Sequence, residues 1–422
     1  MNALGRMCVI FLLAGFLIGF SSAVMSFGDD GDTRDKDTTY TWKDALAYCE
    51  NLLLGENDDW RLPNIKEQER LVDLESSNPA IDTAYFSNTN NGLYWSGTTC
   101  SGCHKMKAFA IDFSDGELYY GNKFRDEVYY ENYVRCVRIS DAPATYILPD
   151  TGQALCYDWD DIMECPGEGE DFYGQDGNYT INPPDLTDNE DGTVTDNLTG
   201  FTWEQNTEEN EPNLYTYSEA ITYCDELTLG EKNDWRMPTR KEYSTILNFG
   251  TTSPSLDPVY FPYYTSVYEE NEAHYWTSSE YHGDPSQVWL LRLAFGLVEE
   301  TPKEPDSHRV KCVRGNTEPA ASYTNNGDGT VTDNVTGLMW EQKTIPSQGC
   351  PAGAIYGEGS DEAQLLRSFR DNILNKTPEG RGMIRLYYLW SPVIVGAIEK
   401  DKKFKEEMKA VVDEILLMIE PR

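Results

Sequence analysis

Two segments of the chain repeat one another, and this repeat constrains the fold more than any other feature of the sequence. Residues 42–67 and 217–242 both carry Tyr-Cys, then Asp-Trp-Arg-Leu/Met-Pro, then Lys-Glu, at an offset of about 175 residues. Both continue into Tyr-Trp-Ser/Thr and end in Val-Arg/Lys-Cys-Val-Arg, at residues 134–138 and 310–314. Long matches in register at a fixed offset are typical of a repeated structural unit. The sequence therefore predicts two copies of one folded module.

A shorter repeat accompanies the modules. Residues 191–205 and 328–342 share Asp-Gly-Thr-Val-Thr-Asp-Asn-x-Thr-Gly-x-x-Trp-Glu-Gln, which predicts a hairpin with its turn at Asp-Asn. The first occurrence leads into the second module, whereas no module follows the second occurrence. Only a polar stretch, residues 28–37, precedes the first module. We therefore expect a first module that lacks its opening and an orphan lead-in near the end of the chain.

The local patterns predict short helices and short strands. Residues 41–54 and 216–229 have apolar residues at helical spacing, and a glycine follows each segment. Shorter helices are predicted over 64–74 and 239–247, the second opened by a capping box of Thr239 with Glu242. The rest of each module has the pattern of short strands separated by Asp-Gly and Asn-Gly turns. The predicted fold class is α+β, with short helices and small antiparallel sheets.

The cysteines agree with the repeat. Cys49 and Cys136 lie 87 residues apart, and Cys224 and Cys312 lie 88 apart at matching positions. Each pair predicts a disulfide that ties the first helix of a module to its last strand. Closing a loop of this length constrains the unfolded chain by roughly 4–5 kcal/mol in the chain-entropy model.

The remaining cysteines have smaller roles in the prediction. Cys156 and Cys165 are expected to close a small loop in the linker between the modules. Cys100-Ser-Gly-Cys103 fits either a redox pair, whose thiolate attacks disulfides, or a local loop disulfide. No helical pattern follows this motif and the second module has no cysteine there, which favours the local disulfide. Cys350 is left without a partner and is a candidate attachment point for the tail.

The first residues have the pattern of a signal peptide. Arg6 precedes an apolar run, and Ser-Ser-Ala at 21–23 resembles a cleavage site; an uncleaved anchor is the alternative. No later stretch reaches the length of a transmembrane helix. Export also agrees with the formation of disulfides. The sequence thus predicts an exported protein that resides in the periplasm, on the outer surface or in the medium.

The charge limits the classes of partner. The chain has a formal net charge of −38, and a field of that sign repels nucleic acid and anionic lipid. Aromatic residues make up 12% of the chain, which argues against disorder despite the many Asp, Asn and Gly residues. We expect a folded protein that has no nucleic-acid partner. The sequence does not indicate an oligomeric state.

The combination of these motifs resembles one family. The Trp-Arg-Leu-Pro element, the Tyr-Trp-Ser and Val-Arg-Cys-Val-Arg segments and the hairpin lead-in resemble the Lcl C-terminal domain family, which is named after a collagen-like bacterial adhesin. The resemblance covers residues 38–138 and 191–315, with the extra lead-in at 327–342. The family is similar to the C-type-lectin-like fold, so the resemblance implies lectin-like modules that bind a glycan or a protein outside the cell.

The C-terminal tail resembles a different element. Cys350-Pro-Ala-Gly-Ala-Ile-Tyr-Gly and the segments after it are similar to the CFI-box C-terminal domain of exported bacterial proteins, although Pro351-Ala352 departs from the apolar pair of that box. Residues 402–419 have the pattern of an amphipathic helix, expected to pack on the tail itself. The predicted organisation is a signal peptide at 1–23, a first module at 38–140, a linker at 141–190, a second module at 191–315, an orphan hairpin at 316–345 and a helical domain at 346–422.

Several residues are candidates for a binding site. Trp60, Trp95, Trp235 and Trp276 could stack on sugars, but their repeat-equivalent places favour a core role. Arg61 and Arg236 are expected to pair internally with Glu67 and Glu242. Tyr-rich loops on a rigid scaffold suit ligand recognition, although they could equally pack on the neighbouring module. The binding residues proposed from these loops are Tyr263, Tyr264, Tyr268, Glu269, Glu270, Tyr281 and His282.

Catalytic and metal sites have little support in the sequence. Residues 188–192 are acidic enough to suggest calcium, but their glycine is misplaced for an EF-hand, which favours a simple turn. No metal site or cofactor is predicted, with calcium as the one open alternative. The chain has no Ser-His-Asp order, metal-ligand cluster or phosphate loop. We therefore expect a binding protein and not an enzyme; a redox protein using Cys100 and Cys103 and a structural envelope component remain alternatives.

Overall fold

The chain forms two compact units. The computed structural model describes residues 39–101, 105–125, 128–205, 213–251, 256–262, 274–293, 296–342, 351–357, 360 and parts of 362–419. One unit is Lys36–Thr344, and the other contains Ile345–Arg422 together with Met1–Asp35. The predicted signal peptide at 1–23 lies outside the described residues.

Both modules lie in the first unit and share two helices, three long strands and a short last strand in the same order. The first module contains β1 (Tyr40–Thr41), α1 (Trp42–Glu50), α2 (Ile65–Arg70), β2 (Leu93–Thr99), β3 (Lys107–Asp112), β4 (Glu117–Asn122), β5 (Phe124–Arg125), β6 (Val128–Tyr129), β7 (Glu131–Asn132) and β8 (Val137–Ile139). The linker contains β9 (Cys156–Tyr157), β10 (Ile162–Met163) and a single 3-10 turn (Asp176–Asn178).

The second module is followed by a hairpin and the tail. Its elements are β11 (Leu186–Asp188), β12 (Thr193–Asp196), β13 (Thr202–Glu204), α3 (Tyr217–Glu226), α4 (Arg240–Ile246), β14 (His274–Glu280), β15 (Gln287–Arg292), β16 (Leu297–Pro302) and β17 (Val313–Arg314). After it come β18 (Tyr323–Asn325), β19 (Thr330–Asp333) and β20 (Leu338–Glu341), then α5 (Pro351–Tyr356) and α6 (Lys402–Ile419). Helices and antiparallel strands are thus mixed, as the predicted α+β class requires.

The helices begin where the sequence predicts and end earlier. Thr239 and Glu242 form the predicted capping box at the start of α4, and Asn64 with Glu67 forms the same box at α2. The helix α1 ends at Glu50, before Gly55, and Gly55 has a positive φ of 59° in a tight turn closed by the Leu54–Asn57 bridge. A residue with a Cβ is strained in this conformation, so the glycine serves the turn and not a helix cap.

The two modules share one central sheet. Three strands of each module join in the order β14-β15-β16-β4-β3-β2, and the modules meet where Val298 of β16 pairs with Leu118 of β4. The sequence predicted small antiparallel sheets, whereas this sheet has six strands. The strands β4 and β16 would each present an unpaired edge in a separate module, and pairing with one another satisfies both edges. One hydrophobic core therefore extends across both modules, with members from each.

The hairpin that we expected to be an orphan completes the first module. In the second module, β11, β12 and β13 form a sheet with β17, in which Trp203 lies opposite Val313. In the first module, β18, β19 and β20 form the same sheet with β8, in which Trp340 lies opposite Val137. No lead-in motif precedes the first module, and the hairpin of residues 323–341, which follows the second module, takes its place.

Matching hydrogen bonds confirm this correspondence. Glu341 accepts hydrogen bonds from the Tyr48 hydroxyl at 2.7 Å and from the Cys136 amide at 3.1 Å. Glu204 accepts from the Tyr223 hydroxyl and from the Cys312 amide at 3.1 Å in the second module. Each glutamate thus connects its hairpin to both the first helix and the last strand of a module.

The predicted disulfides are present. Cys49 is bonded to Cys136, Cys224 to Cys312, and Cys156 to Cys165. Cys100 is also disulfide-bonded and buried, while Cys103 lies outside the described residues. Three disulfides fit an extracellular or exported protein. Among the helices of the described residues, none is long and apolar enough to cross a membrane.

The C-terminal unit contains the predicted amphipathic helix. The helix α6 spans the predicted Lys402–Ile419. Its Met408 forms an apolar cluster with Ile355 of α5 and with Ile398, and the Tyr356 hydroxyl donates to Asp413 at 2.7 Å. The apolar face of α6 therefore packs on the tail itself, as predicted. Cys350 lies outside the described residues.

Candidate functional site

The tryptophans and arginines of the repeat have structural roles. Trp60, Trp95, Trp235 and Trp276 are all buried, so their ring faces are not available to a ligand. Arg61 donates two hydrogen bonds to Glu67, at 2.7 and 2.6 Å, and Arg236 donates two to Glu242 at the same distances. Both predictions from the sequence are confirmed. These residues hold the modules together and leave other parts of the fold for ligand binding.

In the first module, the linker covers the surface beside α2. The Lys66 ammonium donates to the Asp150 carbonyl at 2.8 Å, and the Thr98 hydroxyl donates to the Asp176 carboxyl at 2.6 Å. The Thr99 amide donates to the side chain of Gln153 at 2.9 Å. We call this occupied surface, formed by Asn64, Lys66, Thr98 and Thr99, the filled groove.

In the second module, the same surface is open. Thr239, Lys241 and Ser279 stand at the repeat positions of Asn64, Lys66 and Thr98, and they line a cavity of about 530 Å³. First-module residues 70–75 and 82 form the opposite wall, and residues 317–321 and 323 complete the lining. We call this cavity the open cleft.

The exposure of the two arginines reflects this difference. The side chain of Arg61 is 6% exposed, and its guanidinium lies 5.3 Å from the ring centre of Tyr179 in the linker. The side chain of Arg236 is 27% exposed. One groove is therefore occupied by the protein's own chain, and its repeat equivalent is accessible to solvent.

The cations of the open cleft are held by the fold. The Lys241 ammonium donates to the Val72 carbonyl at 2.6 Å, and burial lowers its pKa. Arg70 pairs with Glu318 and donates to the Pro319 carbonyl at 2.9 Å. These interactions fix the second module against the first and against the segment that leads to the completing hairpin.

The carboxylates of the cleft rim have no such partners. Within the part of the chain that the structure describes, Asp73, Glu75 and Asp82 form no ion pair, although all three line the cavity. Asp73 and Asp82 accept hydrogen bonds only from groups of their own turns, the Glu75 amide, the Ser76 hydroxyl and the Ala84 amide. The rim therefore carries excess negative charge, and a ligand with positive charge is electrostatically favoured.

Only part of the predicted Tyr-rich site is described. Tyr263, Tyr264, Tyr268, Glu269 and Glu270 lie outside the described residues. His282 is exposed. Tyr281 packs edge-on against Trp289, with ring centres 5.2 Å apart. Burial, and then the carboxylates of Asp115, Glu300 and Glu117, raise the pKa of the Tyr281 hydroxyl.

These carboxylates gather at the junction of the modules. Asp115 and Glu117 belong to the first module, and Glu300 belongs to the second. Burial, and then the negative charges of Asp115 and Glu300, raise the pKa of Glu117 to about 7. Arg240 lies nearby over the ring of Trp289 at 4.4 Å and donates to Glu69 from Nε at 3.1 Å. Its two terminal nitrogens have no hydrogen-bond partner in the described part of the chain.

Residues 188–192 form a tight turn between β11 and β12. Glu190 has a positive φ of 58°, and its amide donates to the Asp188 carboxylate at 2.8 Å. Among the described residues, no group of three or more His, Cys, Asp and Glu side chains is arranged to hold a metal ion. The Asp188 carboxylate stabilises this turn by accepting the hydrogen bond of the Glu190 amide.

The sequence did not predict the open cleft. Its lining comes from segments that lie far apart in the sequence, and residues such as Lys241 and Ser279 match ordinary positions of the repeat. A signal was nevertheless present, because the linker follows only the first module. This difference indicates a surface that is covered in the first module and uncovered in the second.

Comparison with known proteins agrees with the repeat. The model of the Lcl C-terminal domain family matches residues 25–138 and 192–314, more than half of the chain. The first match begins upstream of the residue 38 that the motifs indicate. No curated protein and no solved structure gives a significant match. The chain therefore belongs to the Lcl C-terminal domain family and carries two copies of its domain.

Proposed function

We propose that this protein is an exported binding protein, held at the cell surface or secreted, and that it recognises a glycan or protein ligand. Membership of the Lcl C-terminal domain family and three disulfides support an extracellular role. The resemblance of the modules to C-type-lectin-like domains supports ligand binding over catalysis. Under this proposal the modules act as a rigid scaffold, and the ligand occupies a surface that only one of them leaves open.

One observation carries the proposal. The open cleft of the second module has the same framework as the filled groove of the first, yet it holds a cavity of about 530 Å³. Pockets of this volume suit small ligands or short segments of larger ones. The filled groove satisfies its polar groups with the linker, so an external ligand is the natural occupant of the open one.

The chemistry of the cleft favours binding over catalysis. Lys241, its one lysine, is held by backbone carbonyls, and Glu242 is held by Arg236. Neither is placed as a base beside a nucleophile. Cys100 is buried and already disulfide-bonded, which does not favour the thiol chemistry considered from the sequence. We therefore propose no second function.

The test uses arrays of glycans and extracellular proteins with the chain that lacks residues 1–23, with and without calcium. We expect binding to at least one class of ligand. Replacing Ala320, an exposed residue of the cleft wall, with Trp fills the cavity and should weaken binding by roughly tenfold or more, about 1.4 kcal/mol. Ala144→Trp is the matched control, because Ala144 is exposed and follows β8 as Ala320 follows β17. Failure to bind any glycan or protein would contradict the proposed function.

A further inference from the structure

We propose, on the basis of the proposed function, that the open cleft binds a polypeptide segment of another molecule, with basic residues beside an acceptor side chain. This segment would take the place that the linker takes in the first module. The proposal names the ligand class of the cleft: a peptide segment, and not a glycan.

The filled groove shows what kind of ligand this surface accepts. The linker enters it as irregular chain that forms neither helix nor strand, and Lys66 donates to a main-chain carbonyl, that of Asp150. Gln153 pairs with both main-chain groups of Thr99, accepting from the amide at 2.9 Å and donating to the carbonyl at 2.7 Å. Lys66 thus contacts the main chain of the occupant, as binding sites for polypeptide do, and Gln153 adds a side-chain amide that pairs with the main chain of the groove itself.

A carboxyl side chain fixes the linker in the groove. Asp176 accepts from the Thr98 hydroxyl at 2.6 Å and from the Thr151 hydroxyl at 2.7 Å. The Thr98 hydroxyl also accepts a hydrogen bond from the Ile65 amide, at the start of α2. The groove therefore offers one oriented hydroxyl donor at the end of β2, and the occupant supplies its acceptor.

The open cleft presents the same donor without an acceptor. Ser279 stands where Thr98 stands, and its hydroxyl accepts from the Arg240 amide at 3.1 Å, as Thr98 accepts from Ile65. Within the described residues the proton of the Ser279 hydroxyl has no acceptor, although Ser279 is only 7% exposed and lines the cavity. A ligand with a carboxyl, amide or hydroxyl oxygen would complete this hydrogen bond.

One difference between the modules prevents a segment in the open cleft from lying as close to the strand as the linker does in the filled groove. At Gly97 a Cβ atom would approach the Asp176 amide to 3.3 Å, so the glycine allows the linker to lie directly on the strand. Ser278 occupies this position in the second module, and both residues donate from their amides to the equivalent prolines, Pro63 and Pro238. A segment in the open cleft must therefore run further from the strand than the linker does.

The rim charge gives the ligand its second property. Asp73, Glu75 and Asp82 line the opening without ion-pair partners in the described residues. Lysine or arginine side chains that flank the acceptor residue would lie within reach of these carboxylates. The expected ligand is thus a peptide segment with an Asp, Asn or Thr at its centre and basic residues beside it.

The test is selection of a displayed library of random dodecapeptides on the chain that lacks residues 1–23. We expect enriched peptides with the composition given above. Affinity for a selected peptide, measured by fluorescence anisotropy, should fall roughly tenfold or more in Ala320→Trp, since the cavity is filled, and stay unchanged in the control Ala144→Trp. Ser279→Ala should weaken binding roughly fivefold, as expected for one lost hydrogen bond, and Ser279→Thr should restore it.

The outcomes separate the two proposals. If no peptide is enriched, or if selected peptides bind Ala320→Trp as they bind the unmodified chain, the peptide inference is wrong. If glycans bind the unmodified chain and lose affinity in Ala320→Trp while peptides do not bind, the proposed function stands and its ligand is a glycan. If neither class binds, the proposed function fails as well.

Discussion

The two modules have one framework and differ in what covers it. In both, a disulfide joins the first helix to the last strand, an arginine pairs with a buried glutamate, and a hairpin glutamate binds the tyrosine of the first helix. The first module is covered by the linker at the filled groove, whereas the second keeps the open cleft. We therefore expect the binding function to lie where the two copies differ, because the residues that they share stabilise the fold.

The first module also depends on a distant part of the chain. Its lead-in hairpin, residues 323–341, follows the whole second module and still pairs with β8. The entropy cost of closing a loop rises slowly with its length, so a hairpin supplied from far along the chain costs little more than a local one. The chain between the ends of the first module is itself folded, which reduces this cost further.

The first prediction concerns the completing hairpin and has the largest expected effect. Trp340 and Trp203 are both fully buried at equivalent positions. Replacing either with Ala removes a large core side chain and should lower the free energy of unfolding by about 3–5 kcal/mol. Denaturant titration of each variant measures this loss, with Tyr119→Ala as a control on an exposed aromatic residue. A near-neutral Trp340→Ala beside a costly Trp203→Ala would show that the hairpin does not complete the first core.

The second prediction compares the paired arginines. Arg61→Ala leaves Glu67 as an uncompensated charge beneath the linker and should cost about 3–5 kcal/mol. Arg236→Ala removes a side chain that is 27% exposed, so water can enter the space it leaves beside Glu242, and the change should cost about 2 kcal/mol. Denaturant titration at one pH measures both losses. Equal losses would contradict the view that the linker makes the first site less accessible to water.

The third prediction concerns the carboxyl that holds the linker. Burial, and then the charge of Asp150, raise the pKa of Asp176 to about 7. The folded state thus binds this proton more tightly than the unfolded state, so its contribution to stability falls as the pH rises from about 4 to about 7 and is constant above. Asp176→Asn removes this dependence.

Unfolding experiments at pH 5 and pH 8 measure this effect. Between these values, the stability of the unmodified chain relative to Asp176→Asn should fall by roughly 2–3 kcal/mol, since about two pH units lie below the raised pKa. The matched control is Asp284→Asn, whose carboxylate is exposed in the second module and has a lowered pKa because of bonds from Ser286 and Gln287. If the difference in the free energy of unfolding between Asp176→Asn and the unmodified chain is the same at pH 5 and at pH 8, the prediction is wrong.

The sequence predicted the parts of the fold that depend on local or repeated patterns. The disulfide pairs, the Arg61–Glu67 and Arg236–Glu242 pairs, and the helix α6 all follow from spacing that is visible in one stretch or in both copies. The pairing of β20 with β8 did not, because a hairpin pattern specifies its own turn and not the strand beside it. Val137 and Val313 occupy the same position in the Val-Arg/Lys-Cys-Val-Arg motif. This shared position indicated that each of them pairs with a hairpin strand.

The candidate site was less predictable than the fold. The cleft is open because no segment covers the second module as the linker covers the first. The residues that line it match ordinary positions of the repeat. The predicted Tyr281 lies beside carboxylates at the junction of the modules, which only the pairing of β4 with β16 brings together. Long-range strand pairing of this kind is set by packing and edge satisfaction, neither of which a single sequence displays.

The fourth prediction tests this junction and has the smallest expected effect. Glu117 of the first module corresponds to Leu297 of the second by strand register, and Ile65 corresponds to Arg240. The strand pairing at the junction is therefore the same on both sides, whereas Glu117 and Arg240 are charged and their repeat equivalents, Leu297 and Ile65, are not. Because Glu117 is only partly buried, the cost of its charge is screened by water, and we expect about 1 kcal/mol or less.

The variant Glu117→Gln removes that charge. The pKa of Glu117 is raised to about 7, so the unmodified chain loses stability between about pH 4.5 and pH 7, and the variant does not. At pH 8 the variant should melt about 2 °C higher than the unmodified chain, and at pH 5 the two should melt together. Glu131→Gln serves as the control, because Glu131 is exposed in β7 and remote from this cluster. A Glu117→Gln variant that melts lower at pH 8 would mean that the glutamate binds Arg240 more than it is repelled by Asp115 and Glu300, and the junction would then be held by its charges.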